Sequence, residues 1–404
     1  RGLATLGVDG WARLADQAEV LMGQSPPSSS CSEDGDGLPF IQGNAEFGRR
    51  SPLPRLRCTS PARVAEAGDL LLSVRAPVGA LNQATERTVI GRGLSALRFR
   101  AADQRFAWHA VSYAAPSLNR VAQGSTFVAV SRKDVECMVL PWHDEANPAI
   151  AAVLDTVDEM IEKTEAVIAK LRQVRTGLLH DLLTLGLDEN GQLRDPVAHP
   201  EQFQDSPLGL IPKAWKIASL VSQISFPEGQ VDPRIDPYCS WTLIAPDHVE
   251  SGTGTLLARV TALQQGAISG KYMCEPGDVI YSKIRPYLRK AVLATERGLC
   301  SADMYPLRPN EGIDSRFLLA VVLSEAFTRF ASAVSMRSGF PKINRDEMAG
   351  FATGWPDSGE QNRIADMLEA TDAETSECAK ELAKLQQLKS GLMDDLLTGR
   401  VRVP

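Results

Sequence analysis

Four cations fall within eight residues at Lys283, Arg285, Arg289 and Lys290, beside Tyr281 and Tyr287. A second concentration, Arg337-Ser-Gly-Phe-Pro-Lys342, is a basic loop that carries a glycine. Such clusters suit an anionic ligand, because several charge-assisted donors together hold what one solvated surface charge does not. Catalytic constellations are missing from the sequence. It has no Gly-x-x-x-x-Gly-Lys-Ser/Thr for an ATP motor, no Asn/Asp-Pro-Pro-Tyr/Phe for adenine methylation and no glycine-rich fingerprint for S-adenosylmethionine. A nuclease Asp…Glu-x-Lys cluster is also lacking. His143-Asp144-Glu145 has the donor types of a metal or acid–base site, yet it stands at a predicted helix entry, where capping is the commoner role. His109, His180, His199 and His248 are isolated in sequence. The seven cysteines are scattered with no CxxC spacing, so neither a zinc site nor a disulfide framework is indicated.

The elements that must carry these loops are organised by a repeat. Ala169-Lys-Leu-Arg-Gln-Val-Arg-Thr-Gly-Leu-Leu-His-Asp-Leu-Leu-Thr184 returns as Ala383-Lys-Leu-Gln-Gln-Leu-Lys-Ser-Gly-Leu-Met-Asp-Asp-Leu-Leu-Thr398. The same offset pairs Ile150 with Ile364, Ala151 with Ala365, Leu154 with Leu368 and Asp158 with Asp372. An ungapped match of about 40 residues beside gapped flanks implies a helix that must keep its length. In the first copy Ile150, Val153, Val157, Met160, Thr164, Val167, Leu171, Val174 and Leu178 fall on alternating steps of three and four. Leu154, Ile161, Ile168 and Leu182 widen that stripe. Asn147-Pro148 marks a start and Gly186 lies near the end. About 38 residues at 1.5 Å each make a rod of roughly 57 Å, too long for one small domain to cover. The second copy has a poorer seam, with Thr371, Glu374, Cys378 and Glu381 in stripe positions, but Leu382, Leu385, Leu388 and Leu392 can meet the first.

The 404 residues suggest two or three domains. Without eighteen consecutive apolar residues or a basic-then-apolar leader, no membrane span or export is expected, and a cytoplasmic protein fits. The net charge of −7 argues against nucleic-acid binding only if it is spread evenly. It is not: residues 1–145 carry about +1 and 214–357 about zero, so the helical regions hold the excess acid. Residues 1–143 read as mixed strands and turns, with Phe106–Tyr113 helical and a closing strand after Gly124. Prolines after Asp195, His199, Ser206 and Ile211 make 186–213 a linker without regular structure. Then the order returns: Trp215 for Trp11, Gly277-Asp-Val-Ile-Tyr-Ser-Lys-Ile-Arg-Pro286 for Gly68-Asp-Leu-Leu-Leu-Ser-Val-Arg-Ala-Pro77, and Leu299–Arg308 for Ile90–Arg98. The predicted class is α+β, with domains at 1–143 and 214–357, long helices at 144–185 and 358–399, and a tail at 400–404. The frame is duplicated and the filling differs.

The order of Gly23-Gln-Ser-Pro-Pro27, Gly43-Asn-Ala-Glu-Phe-Gly48, Gly68-Asp-Leu-Leu-Leu-Ser-Val-Arg75 and the Lys170-Leu-Arg-Gln…Leu-Leu-Thr184 helix resembles the specificity subunit of type I restriction-modification enzymes. Asn190-Gly-Gln-Leu-Arg-Asp195, Ser206-Pro-Leu-Gly-Leu-Ile-Pro212 and Gly359-Glu-Gln-Asn-Arg-Ile-Ala365 are similar to the same family. The resemblance covers essentially the whole chain and rests on order and duplication, since no single motif is specific. The chain departs from the pattern at Pro141-Trp-His-Asp-Glu-Ala-Asn-Pro148, which lacks the usual Glu-Gln-Arg start, and at Ala352-Thr-Gly-Trp-Pro356.

The resemblance implies two target-recognition domains, separated by two long antiparallel, coiled-coil-like helices, with an internal pseudo-twofold repeat. Each domain reads half of a split double-stranded DNA site. The partners implied are two methyltransferase subunits and restriction/translocase subunits, with S-adenosylmethionine, ATP and Mg on those partners and none in this chain. Candidate DNA contacts are Gln42, Asn44, Arg49, Arg50, Arg75, Arg92, Ser125 and Thr126 in the first half. In the second half they are Lys283, Arg285, Arg289, Lys290, Arg337, Ser338, Lys342 and Asn344. A single member of this set is as often an ordinary surface charge or a turn-forming side chain. Asp69 and Asp278, after glycine at strand entries, read as turn formers. Leu178, Leu182, Leu392 and Leu396 are expected to be exposed for partner binding. The competing classes are an enzyme in its own right and an assembly scaffold that does not read DNA.

Overall fold

Both copies of the repeat form unbroken helices, Asn147–Thr184 and Ser358–Leu397. The computed structural model describes residues 10–100, 103–121, 129–335 and 340–403. Pro148 sits in the first turn, where its missing N–H leaves no bond unmade, and Gly186 follows the helix end at φ +67°. The chain divides into two compact units: residues 1–166 with 379–404, and residues 167–378. Each unit therefore takes about half of either long helix.

In the first unit a four-stranded antiparallel sheet runs in the order 18–22, 94–99, 70–73, 81–83. A five-stranded sheet has the order 31–32, 56–58, 38–41, 88–90, 64–65, with 38–41 and 88–90 parallel. Trp11–Arg13 pairs with Val139–Pro141. The helix Gln104–Ala114 extends the expected Phe106–Tyr113 and buries Phe106, Ala107, Ala110 and Val111 against Leu70, Leu72 and Leu97. That core continues through Trp142 into Ile150 and Leu154 of the first long helix and Leu396 and Leu397 of the second. The strand expected after Gly124 falls partly on residues 122–128, outside the described residues. Beyond them Arg132–Glu136 is a short helix capped by Ser131, and only Val139–Pro141 is strand.

The second unit repeats the order. Lys216–Ser219 pairs with Ala352–Trp355, and a four-stranded sheet runs 224–225, 304–309, 279–282, 291–293. Its smaller sheet, 243–244, 298–300, 272–274, again holds one parallel pair. Helices Ser315–Leu323 and Glu325–Ser335 bury Phe317, Leu318, Val321, Phe327 and Ala331 in its core. No single helix among the described residues is long and apolar enough to cross a membrane. The stretch expected to be an irregular linker contains a hairpin, Phe203–Ser206 with Gly209–Pro212. Its prolines stand at the turn and the strand end, where no ladder N–H is lost, and Phe203 and Ile211 are buried. Arg194 of the same stretch makes two bonds to Glu360, at 2.5 and 3.0 Å, and so ties it to the start of the second long helix.

Residues equivalent in the repeat make equivalent bonds. In the first unit Lys389 meets Asp158 at 2.5 Å; in the second Arg175 meets Asp372 at 2.5 and 3.0 Å. Asp158 corresponds to Asp372 and Arg175 to Lys389, so the two long helices exchange roles between the units and run antiparallel in both. The buried seam differs from the expected stripe. Ile150, Leu154, Val157, Ile161, Ile168, Leu179 and Leu182 are buried, whereas Val153, Met160, Val167 and Val174 are 36–47% exposed. The residues read as widening the stripe are its centre. Leu182 and Leu396 are buried in the cores, and Leu178 and Leu392 pack against them, so the expectation that these four stand exposed is corrected.

Candidate nucleic-acid interface

Three loops of the first unit meet through their backbones. The N–H of Gly91 donates to the carbonyl of Ile41 at 2.8 Å, and that of Gly93 to the carbonyl of Gln42 at 3.3 Å. A Cβ on Gly91 would stand 2.8 Å from the Cα of Gln42, and one on Gly23 would stand 2.1 Å from the carbonyl oxygen of Gly91. Glycine at 23 and 91 is therefore what lets these loops close on each other. The contact sets Gln42 and Arg92 side by side at the surface, with Arg92 Nε 3.3 Å from Ser25 Oγ. Val74 donates to the carbonyl of Gly93, and the exposed Arg75 bridges to Ala129. Gln42, Arg75 and Arg92 thus form one rim. Ser25, in the Gly23–Pro27 motif, is not among the expected contacts, because its approach to Arg92 comes from a loop distant in the chain.

Arg49 and Arg50 do not join that rim. Arg49 pairs with Glu165 at 2.7 Å and Glu162 at 3.5 Å, while Arg50 lies 3.6 Å from Asp155 and 4.8 Å over the ring of Trp108. Both are engaged with the first long helix, apart from the loops that carry Gln42 and Arg92. Asn44 opens a 3-10 turn, Asn44–Glu46, and is half-buried. Ser125 and Thr126 lie outside the described residues.

Asp155 is the charged centre of the first unit. It accepts from Arg105 Nε at 2.7 Å and lies 2.9 Å from His109 Nε2. Burial pushes its carboxyl pKa up, but the bonds from His109 and Arg105 and the charge of Arg50 outweigh burial and hold it below the ordinary value. Burial lowers the pKa of His109 against the pull of Asp155, and its Nδ1 has no partner. A neutral ring donating from Nε2 fits both facts. Asp158 lies close enough to His109 and Asp155 to make a three-ligand group with them. Its carboxylate is already answered by Lys389, and that of Asp155 by two arginines, so the cluster reads as an ion-pair network. His143 does cap, at an unexpected place: its Nε2 lies 2.8 Å from the carbonyl of Leu397, the last residue of the second long helix.

In the second unit the same backbone bonds recur. Ser301 donates to Ile244, and Lys283 to Asp303. Asp278 accepts from Glu275 N and from Arg308 at 2.8 Å, as Asp69 accepts from Glu66 N and from Arg98 at 3.0 and 2.8 Å. Both aspartates are the turn formers the sequence suggested. Of the four clustered cations, three turn inward. Lys283 is 8% exposed, 4.7 Å over the Tyr305 ring, and burial with the nearby Lys342 lowers its pKa. Arg289 donates to the carbonyl of Leu323, and Lys290 to that of Pro246. The donors of these three satisfy carbonyls and a ring face within the unit. Arg285 and Lys342 are exposed. Asn344, an expected contact, caps the helix Arg345–Met348 and accepts from Glu347 N at 2.8 Å. Arg337 and Ser338 lie outside the described residues.

No protein-family model matches the chain. The type I restriction enzyme EcoDI specificity subunit of Escherichia coli is 30% identical over 305 residues, covering 69% of this chain and 66% of that protein. A second curated relative, 37% identical over 169 residues, is matched over 40% of its length. The crystal structure of the type I restriction-modification system S subunit from M. genitalium matches with TM-score 0.58 at 14% identity, over 97% of both chains. A structure described for complex assembly and conformational transition of the type I R-M system matches with TM-score 0.55 at 16% identity, over 96% of this chain and 97% of that one. At such identities the structures speak for the fold, and the curated relatives for the family. Sequence likeness and the shared fold agree: the chain belongs to the specificity subunits of type I restriction-modification enzymes.

Proposed function

We propose that this chain is the non-catalytic DNA-recognition subunit of a type I restriction-modification complex and reads a bipartite, asymmetric duplex site, one half with each unit. The observation that carries this reading is a frame built twice around different rims. Asp69–Arg98 and Asp278–Arg308 brace the same strand entries, while the exposed polar residues differ: Gln42, Arg75 and Arg92 in the first unit, Arg285 and Lys342 in the second. Phosphate contacts from such residues supply salt-dependent affinity, and base-edge bonds supply discrimination. Two methyltransferase subunits would bring S-adenosylmethionine and adenine methylation. Restriction/translocase subunits would bring ATP and Mg. Binding of the full chain to random and to selected duplex should fall with salt, by about 0.9 in log affinity per log salt for each phosphate neutralised, and keep a preference for the selected sequence. Binding without preference would leave the scaffold reading.

The same proposal assigns partner docking to the apolar row that the long-helix seam leaves outside. Val153 and Met160 are exposed in the first unit, Val167 and Val174 in the second. Met160→Asp or Val174→Asp should weaken assembly with methyltransferase subunits at least tenfold and leave the melting temperature unchanged. Leu182→Asp or Leu396→Asp should instead lower the melting temperature, since each puts a charge into a core. Light-scattering mass of the reconstituted complex, with a melt of each variant, separates the two. Full assembly by both exposed-row variants would remove that row from the interface.

A further inference from the structure

Arg285 stands on a turn that the fold holds under strain. Its backbone is left-handed at φ +47°, as is that of Arg289 at φ +49°, a conformation that side-chain-bearing residues adopt at a cost. The base of the turn is anchored: Arg289 and Lys290 bond carbonyls of other segments, and Pro286 is buried. The N–H of Arg285 donates to the carbonyl of Pro341 at 2.9 Å, and that of Ile343 to the carbonyl of Lys283 at 2.9 Å, locking the turn to the Phe340–Lys342 segment. Arg285 and Tyr287 are what the tip puts outward. The Arg285 guanidinium lies 5.5 Å from the centroid of Phe340, a ring 50% exposed, and Tyr287 is 55% exposed.

We propose that Arg285 and Phe340 are a base-reading pair of the second unit, Arg285 donating two N–H groups to O6 and N7 of one guanine while Phe340 lies on the methyl group of a neighbouring thymine in the major groove. The inference rests on the DNA-recognition reading above and names where and what the second unit reads. An aromatic ring beside a guanidinium restrains its side chain, and two parallel bonds to a guanine edge use its planar fork. Less side-chain freedom then remains to be lost on binding. The exposed half of the ring offers the apolar surface that a thymine methyl matches and a cytosine does not. Lys342 and Tyr287, beside the pair, suit flanking phosphates.

The test is selection by the full chain from duplex libraries randomised over each half-site, with wild type, Arg285→Ala, Arg285→Lys, Phe340→Ala and Phe340→Leu compared. Wild type should select a guanine in one half-site with a thymine adjacent. Arg285→Ala and Arg285→Lys should both lose about tenfold or more of the guanine preference. Arg285→Lys should keep the salt dependence, because its charge remains but its planar fork does not. Phe340→Ala should relax the adjacent thymine, and Phe340→Leu should restore part of it. The other half-site should be selected as before in every variant, which also reports that the protein is folded. Unchanged selection by Arg285→Ala and Phe340→Ala, or equal loss at both half-sites, would overturn the pair while leaving DNA recognition standing. A wild-type chain that selects nothing would overturn both.

Discussion

Asp155→Ala is expected to destabilise the first unit by about 3 kcal/mol, the low end for removing one partner from a buried ion-pair network. The low end applies because Arg105, 66% exposed, can return to water, whereas His109, fully buried, cannot. For a unit of this size the loss corresponds to a fall of about 6–12 °C in its melting temperature. Asp155→Asn, which keeps one acceptor for His109, should cost less. Calorimetry should show the transition of the second unit unmoved, and a joint shift of both transitions would show that Asp155 is not local to the first unit. The same site predicts a pH dependence. The folded state holds the His109 pKa below 6.5 through burial, so the unfolded chain takes up this proton first as pH falls. Stability of the first unit should be fully present above pH 6.5 and decline as pH drops from there toward the folded pKa. Replacing His109 with Asn should flatten that decline between pH 7.5 and 5.5, and an unchanged slope would assign it elsewhere.

Inserting four residues into both long helices, between Lys163 and Lys170 and between Glu377 and Lys384, should lengthen the preferred spacer between half-sites by about two base pairs. Each helix gains about 6 Å, with a rotation of roughly 40°, against 3.4 Å per base-pair step. These insertion points fall between the paired residues. Asp158–Lys389 stays within the first unit and Arg175–Asp372 within the second. The double insertion therefore preserves both bonds, whereas an insertion in one helix alone shifts one set against the other and should abolish cognate binding. Selection from libraries that vary the spacer measures this. Unchanged spacing at full affinity would sink the idea that helix length sets the site.

The sequence by itself determined the two long helices, their length, their ungapped kinship and the strand-entry role of Asp69 and Asp278. These follow from local rules: a 3.6-residue period, a proline in the first turn, a glycine after the last, an aspartate closing a turn. It could not determine which apolar row of the first helix faces inward. Rows 150/154/161/168/182 and 153/160/167/174 lie side by side and are equally apolar, so the phase is set by the helix that packs against them. Nor could it tell an outward cation from an inward one. Arg49 finds Glu165 in the long helix, and Arg289 finds the carbonyl of Leu323. Charge counts alike in sequence wherever it points, and the direction of a guanidinium is settled by acceptors that only the tertiary fold brings near. The rim of Gln42, Arg75 and Arg92 and the Arg285–Phe340 pair belong to the same class, because each is assembled from loops distant in the chain by backbone bonds that no local pattern encodes.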